Sequence, residues 1–486
     1  LHPEAQAEPR FDDEHEPTQR TTRTEGESAM TTDPAVEHTC STIDPTTDAA
    51  NTSHAEHAVH AVHAVHAVTR RRFVQGTSVA LAGAALAPMT FGITRPNSRD
   101  TLNIGVIGCG GRGTGAAHDA VTADDDVRIV ALADVFAERV NGCRGHLNGL
   151  GDRVDIPDTR CFVGFDAYAE LLRDDTIDAV ILATPPHFRP AHFDAAIRAG
   201  KHVFMEKPVA VDPAGYRTVL NAGARATANK LSVVAGTQRR HEASYLAAME
   251  QIESGAIGTV LAARCFWNQG GLWMNSRQPG WTDMEWQLRN WLYFTWLSGD
   301  HIVEQHVHNI DVINWAMGSH PARALGLGGR QVRTDPAYGH VFDHFAIEYE
   351  YPDNRFCLSM CRQIDGCPPR VEELITGTRG TMTTRPGYAS VAGASPWRFE
   401  GENPNPYVQE HTDLYRSIRS GTPVNEARTV AESTLTAIMG RMSAYTGQPV
   451  LWEDVTASKL DLTPARYEFG DVDLPAVAVP GSTKLV

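Results

Sequence analysis

Two short stretches of the chain carry side chains able to move a proton. The first is Glu206-Lys207-Pro208, set just past an apolar run that reads as a strand. A lysine there can donate to a substrate hydroxyl and stabilise an alkoxide as hydride leaves its carbon. The plainer reading is a surface lysine beside a turn-forming proline. The second stretch is Gly299-Asp300-His301-Ile302-Val303-Glu304-Gln305-His306-Val307-His308-Asn309-Ile310-Asp311. On a helix, His301, Glu304, His308 and Asp311 follow a 3-4-3 spacing and share one face. Four ionisable groups on one stripe make a poor core face. They suit catalysis, with His308 as general base toward a hydroxyl and Glu304 or Asp311 orienting it and holding its tautomer. The same stripe also fits a metal site of His301, Glu304 and His308, or a solvated helix face.

Such groups need a rigid frame, and residues 102–134 supply its signature. Leu102-Asn103-Ile104-Gly105-Val106-Ile107 reads as a buried strand and runs into Gly108-Cys109-Gly110-Gly111-Arg112-Gly113, a G-x-G-x-x-G turn. A helix is expected from Thr114, then an apolar strand that ends on Asp134. Gly108 allows the tight turn, Gly110 lets the backbone approach a pyrophosphate, and Gly113 lets helix and strand pack closely. The helix N-terminus offers free N–H groups to the phosphates, with Gly111 and Arg112 beside them. Asp134, about twenty residues on, is placed to accept hydrogen bonds from the adenosine ribose and would repel a 2′-phosphate, which favours NAD over NADP.

Short apolar strands and helices keep alternating to about residue 236, the pattern of a parallel sheet covered on both faces. Ligands of such a sheet gather at the C-terminal strand ends, where Gly108, Asp134, Thr184, Pro185, Glu206 and Lys207 fall. Beyond residue 240 longer alternating segments at 260–267, 323–329, 342–351, 356–362 and 371–376 predict a largely antiparallel sheet. Helices are predicted at 303–317, 408–420 and 425–446. Arg239 or Arg240 could bind hydroxyls or a carboxylate at the cleft. Arg264, Asn268 and Trp273, on or after the first strand of the second domain, are further substrate candidates, as is Asp311. Trp281, Trp286, Trp291 and Trp296 could stack on sugar faces, although at least half of them are expected to fill a core or a subunit contact.

Taken together, the glycine turn, Asp134, Glu206-Lys207-Pro208 and Glu304-x-x-x-His308-x-x-Asp311 resemble the glucose–fructose oxidoreductase / inositol dehydrogenase / rhizopine-catabolism (Gfo/Idh/MocA) superfamily from about residue 102 to about 455. The resemblance implies that Lys207 and His308 frame the reacting carbon of a sugar, with Glu304 where many members have Asp and His306 where glycine is usual. It implies NAD-dependent hydride transfer at a carbinol carbon of a sugar, polyol or glycoside. Some relatives instead keep NAD bound and cleave a glycosidic bond by oxidation, β-elimination, water addition and re-reduction. A non-catalytic NAD-binding scaffold is the third reading.

The rest of the chain bounds the setting. Its 486 residues allow two or three domains. A formal charge of −16 argues against a nucleic-acid partner. The eight cysteines are scattered without a C-x-x-C pair, so neither a zinc knuckle nor a disulfide framework is signalled. Residues 1–68 are polar and are expected to be disordered, and a His-Ala-Val repeat at 57–68 is more simply a low-complexity relic than a metal tract. The first methionine is Met30, so translation is expected to begin downstream of residue 1. Thr69-Arg70-Arg71-Arg72-Phe73-Val74, the apolar run to Leu86 and Ala85-Leu86-Ala87 read as a twin-arginine signal at 69–98, cleaved near Ala87. Export to the periplasm follows, with the twin-arginine machinery as partner and no stable membrane anchor. The expected architecture is α/β: an N-terminal Rossmann dinucleotide-binding domain (100–236), an α+β substrate and oligomerisation domain with a largely antiparallel open sheet (237–468), and a loose C-terminal arm (469–486). The exposed face of that open sheet makes a homo-oligomer the expected assembly.

Overall fold

The structure, a computed structural model, describes residues 101–485. The His-Ala-Val repeat, the twin-arginine segment and the cleavage site lie outside the described residues.

Six parallel strands form the first sheet: β1 (Leu102–Ile107), β2 (Val127–Asp134), β3 (Cys161–Val163), β4 (Ala179–Leu182), β5 (His202–Met205) and β6 (Val233–Ala235). They lie in the order β3-β2-β1-β4-β5-β6, which reverses direction between β1 and β4 and opens a crevice above their C-terminal ends. The strands are near-continuous apolar runs because both faces are covered; Ile104, Val106, Val180 and Leu182 are almost fully buried. The covering helices are α1 (Gly111–Ala123), α2 (Ala137–Leu147), α3 (Ala167–Leu172), α4 (Arg189–Arg198) and α5 (Pro213–Ala228). Asp212 caps α5, its Oδ1 accepting from Gly215 N at 2.7 Å. Helix α1 begins at Gly111 rather than Thr114, so its unpaired N–H groups lie inside the glycine turn itself.

The second sheet has nine strands: β7 (Val260–Gln269), β8 (Arg323–Gly329), β9 (His344–Tyr351), β10 (Arg355–Gln363), β11 (Arg370–Gly377), β12 (Gly380–Arg385), β13 (Tyr388–Gly393), β14 (Trp397–Arg398) and β15 (Val450–Leu451). Their order is β14-β13-β12-β11-β7-β10-β9-β8-β15, and every pairing is antiparallel except β7 with β10. Strands β12 to β14 were not expected from the sequence because they are short, six residues or fewer, and few of their side chains are large and apolar.

Helices α6 (Ala243–Glu253), α7 (Asp283–Arg289), α8 (Thr295–Ser298), α9 (His301–Glu304), α10 (Val307–Met317), α11 (Pro406–Ser420) and α12 (Ala427–Thr446) complete the described core. Helix α12 lies on β8 and β9 and touches α5 of the first domain, binding the two domains into one core. Close approach is built in: a Cβ on Gly440 would sit 2.2 Å from Tyr349 Oη. Helix α11 belongs to the second domain by sequence but packs on α1, β5 and β6 of the first. Periodicity identifies such a helix without revealing which sheet it covers.

Two expectations need correction. The helix predicted at 303–317 is broken: α9 ends at Glu304 and α10 starts at Val307. The C-terminal arm is not loose, because Met284 N donates to Gly470 O at 3.0 Å and Gly481 N donates to Thr446 O at 2.8 Å.

Candidate active site and dinucleotide groove

The glycine turn divides its tasks by position. Gly108 sits at φ +101, and an added Cβ would lie 2.4 Å from Thr184 N, so only glycine fits there. At Gly113 the Cβ would fall 1.8 Å from Gly108 O, which explains the close seating of α1 against β1. Gly110 and Gly111 have nothing within 4 Å of the same position. Two glycines thus shape the fold and two leave open space at a helix N-terminus, the arrangement a pyrophosphate needs. Asp134 Oδ2 accepts from Cys109 N at 2.7 Å and Oδ1 from Phe136 N at 3.0 Å. Each oxygen keeps a lone pair for a ribose hydroxyl. Burial pushes this carboxyl up, while the two backbone N–H groups pull it back down. These residues fit NAD.

The Arg112 guanidinium, beside the glycine turn, donates through Nε to Glu206 Oε1 and lies over the Tyr407 ring at 4.9 Å, which ties the turn to the loop after β5. Thr184 and Glu206 are joined by a residue that the sequence reading overlooked. Arg189, 1 % exposed, donates from Nη2 to Thr184 O at 2.6 Å and from Nε to Glu206 O at 2.9 Å. It clamps the loop after β4 to the loop after β5, holding Pro185 and Lys207 in register. An arginine beside a proline at a helix start gives no sequence signal of this task.

Lys207 Nζ donates to Glu304 O at 2.8 Å and lies 3.5 Å from Glu304 Oε1; the Lys207–Pro208 peptide is cis. His308, on the first turn of α10, stacks on Trp267 at 5.7 Å between ring centroids. Burial drives the His308 imidazole well below its ordinary value, and the charges of Lys207, Arg239 and Arg112 press the same way. The ring is therefore neutral, and its buried Nδ1 has no protein partner among the described residues.

The break between α9 and α10 scatters the predicted stripe. His301 turns to Asp300 Oδ1 at 3.1 Å and to the Phe345 ring, away from Lys207. His306 enters the core, with Nε2 2.7 Å from Ser359 Oγ. Asp311 does not orient His308. It accepts from Arg240 Nε at 2.8 Å and Nη2 at 3.0 Å, and from Ser433 Oγ at 2.7 Å. Glu304 likewise partners Lys207 rather than the imidazole. Among the described residues no trio of His, Cys, Asp or Glu converges on a metal position.

The substrate candidates divide. Arg240 is committed to Asp311 and lies over the Trp315 ring at 4.9 Å. Arg264 and Asn268 are corrected: β7 alternates, Trp267 faces His308, and these two residues therefore point to the opposite, open face of the sheet. Trp273 follows β7 with its carbonyl accepting from Tyr293 Oη at 3.0 Å and its side chain half-buried. Trp296 is buried against His187 at 5.0 Å, and Trp286 meets Phe294 at 5.1 Å, so both build an apolar cluster. Trp267 was overlooked although it walls the His308 ring. Behind it Arg239 stacks at 5.4 Å while donating to the buried Glu373 carboxylate at 2.7 Å.

Fold and groove together define a two-domain dinucleotide-binding protein. A family model described as "Oxidoreductase family, NAD-binding Rossmann fold" matches residues 102–234, and one described as "GFO/IDH/MocA C-terminal domain" matches residues 245–383. The chain carries both domains of the Gfo/Idh/MocA family. Among similar curated proteins, an inositol 2-dehydrogenase 3 of Saccharopolyspora erythraea is 27% identical over 250 residues, covering 51% of this chain and 63% of that protein. A 2,7-anhydro-N-acetylneuraminate hydratase of Escherichia coli is 23% identical over 212 residues, covering 44% of this chain and 52% of that protein. The chain thus matches about half to two thirds of the length of these relatives. Solved structures of similar fold include a levoglucosan dehydrogenase with NADH and levoglucosan (TM-score 0.58, 18% identity, covering 72% of this chain and 99% of that one). An aldose–aldose oxidoreductase of Caulobacter crescentus has a TM-score of 0.57 at 18% identity, with coverage of 72% and 99%.

Proposed function

We propose that the protein is an NAD-dependent oxidoreductase that moves hydride between nicotinamide and a carbinol carbon of a sugar, polyol or glycoside. The observation that carries this reading is a Lys207 ammonium, held on the Glu304 carbonyl, whose charge reaches a buried His308 with a free Nδ1, beside a groove that fits NAD. The bound cofactor supplies a hydride acceptor. His308 is in the state to accept the hydroxyl proton, and Lys207 places positive charge where the oxygen becomes an alkoxide. Trp267 and Arg239 hold the imidazole in place and exclude water from one side. The inositol 2-dehydrogenase and levoglucosan dehydrogenase among the similar proteins support the substrate class. The direct test is incubation with a panel of polyols, sugars and glycosides while reduced nicotinamide is followed by absorbance.

A depressed His308 value has a definite sign in the pH profile. A base works when deprotonated, so kcat/KM stays level as pH falls past the ordinary imidazole value of about 6.5 and drops only below it. An acid limb at or above that value would show that His308 is not the base.

A second reading uses the same residues for bond cleavage without net redox change, with NAD retained. The hydratase among the relatives supports it, because its name describes a reaction with no net oxidation.

Two features of setting belong to the proposal. Export by the twin-arginine route rests on residues 69–98 and predicts a mature protein that begins near residue 88, read by N-terminal sequencing of the secreted form. Assembly rests on the uncovered sheet face, where Leu325, Leu327, Phe356, Leu358 and Met360 are 36 to 76% exposed. An apolar face of this kind fits a second copy of the chain. Leu327→Asp should therefore convert an oligomer to monomer in analytical ultracentrifugation without lowering NAD binding, and a wild-type monomer would contradict the assignment.

A further inference from the structure

The C-terminal arm, counted from its first anchor at Leu462 rather than from the expected residue 469, runs past the loops that follow β2, β3 and β4. It is anchored by Leu462 N, which donates to Asp212 Oδ2 at 2.8 Å, by Tyr467 Oη, 2.7 Å from His187 Nε2, and by Gly470 O, which accepts from Met284 N at 3.0 Å. Between these anchors Phe469 meets Phe136 at 5.9 Å and Phe165 at 5.4 Å, while Tyr467 meets Phe165 at 6.2 Å and Phe188 at 5.6 Å.

The three partner rings have a common address. Phe136 lies two residues past Asp134, and Phe165 lies two residues past Val163, the register partner of Asp134. Phe188 closes the loop that opens with Thr184 and Pro185. In a sheet of this order, with the ribose on the carboxylate that ends β2, the adenine falls among the loops after these strands. Burial takes His187 down to about 4, so its ring is neutral and its contact with Tyr467 persists at neutral pH. Yet Tyr467 and Phe469 remain 43% and 47% exposed, although both are packed into a ring cluster. Their free area faces outward from a wall of aromatic rings, the surface on which a flat heteroaromatic ring stacks.

We infer that Tyr467 and Phe469 are adenosine-binding residues and that the C-terminal arm is a strap that slows release of the dinucleotide. The inference rests on NAD binding in the groove and adds a residue set that the Rossmann domain itself does not contain.

The test uses the full chain with Tyr467→Ala and Phe469→Ala combined, and separately Phe469→Leu, which keeps an apolar contact should the double variant fold poorly. Affinities for NAD, ADP-ribose and nicotinamide mononucleotide are measured, together with the rate of NAD loss after dilution. The expected result is an about tenfold faster loss of NAD and an about tenfold weaker grip on ADP-ribose in the double variant. Phe469→Leu gives a smaller change in the same direction, and nicotinamide mononucleotide binding is unchanged. Wild-type rates and affinities in both variants would overturn the inference. Tighter ADP-ribose binding would overturn it too, because the arm would then be competing for the adenine position. A wild-type chain that binds ADP-ribose but not nicotinamide mononucleotide would leave the strap standing while removing the oxidoreductase reading.

Discussion

Replacing His308 with alanine is expected to lower turnover by about a hundred- to ten-thousandfold, the usual worth of a positioned general base. Lys207→Ala is expected to fall in the same range, through loss of the positive charge beside the developing alkoxide. Both variants should bind NAD as the wild type does, since neither side chain touches the glycine turn or Asp134. The two losses should also be far from additive, because the base and the cation act on one oxygen. Steady-state kinetics on the active substrate, with NAD affinity measured alongside, checks this. Wild-type-like turnover in either variant would remove the role given to that residue. Equal loss of NAD affinity would show damage to the groove instead.

The second large effect concerns the frame. Gly113→Ala places a methyl 1.8 Å from Gly108 O, with backbone on both sides of the clash. Relief requires α1 to move off β1, which costs on the order of 1–3 kcal/mol or more and displaces the N–H groups that face the pyrophosphate. Expected outcomes are a melting temperature lowered by several degrees and NAD binding lost. Gly110→Ala separates the two effects. Nothing lies within 4 Å of that methyl, so the ligand-free variant should melt like the wild type. It should nevertheless bind NAD more weakly, because the methyl fills the space a phosphate needs. Calorimetric melting with and without NAD distinguishes a glycine that shapes the fold from one that admits the ligand. Equal melting of Gly113→Ala and wild type would contradict the packing argument.

What could be read from the sequence depended on the range of the interaction. The strand, turn, helix and Asp134 of the first domain were legible because each follows from local chemistry: an apolar run, glycine conformations and a carboxylate at fixed spacing. The β7 to β11 strands were legible for the same reason. The 3-4-3 spacing misled because it assumes one continuous helix, whereas Gln305 and His306 interrupt α9 and α10. Past that break Asp311 meets Arg240, a partner 71 residues away. Arg264 and Asn268 were misplaced because an alternating strand shows two faces without showing which one is covered. Arg189 was invisible for a related reason: its value lies in two carbonyls on separate loops, and backbone acceptors leave no trace in side-chain types. Phe469 fell in the stretch expected to be a loose arm, with Tyr467 just before it, because the anchors of this segment lie more than 180 residues back in the chain.

The role of Lys207 and His308 at a carbinol is decided by nuclear magnetic resonance in deuterium oxide of the NAD-loaded protein with sugars, polyols and glycosides, following nicotinamide absorbance in parallel. The expected result is a keto product formed in step with reduced nicotinamide, with every bond of the carbon skeleton and glycosidic linkage intact. Cleavage with deuterium beside the oxidised carbon and no net reduced nicotinamide would contradict net oxidation and establish the bond-cleaving cycle. NAD bound with no turnover of any compound, and identical behaviour of His308→Ala, would contradict the catalytic account altogether.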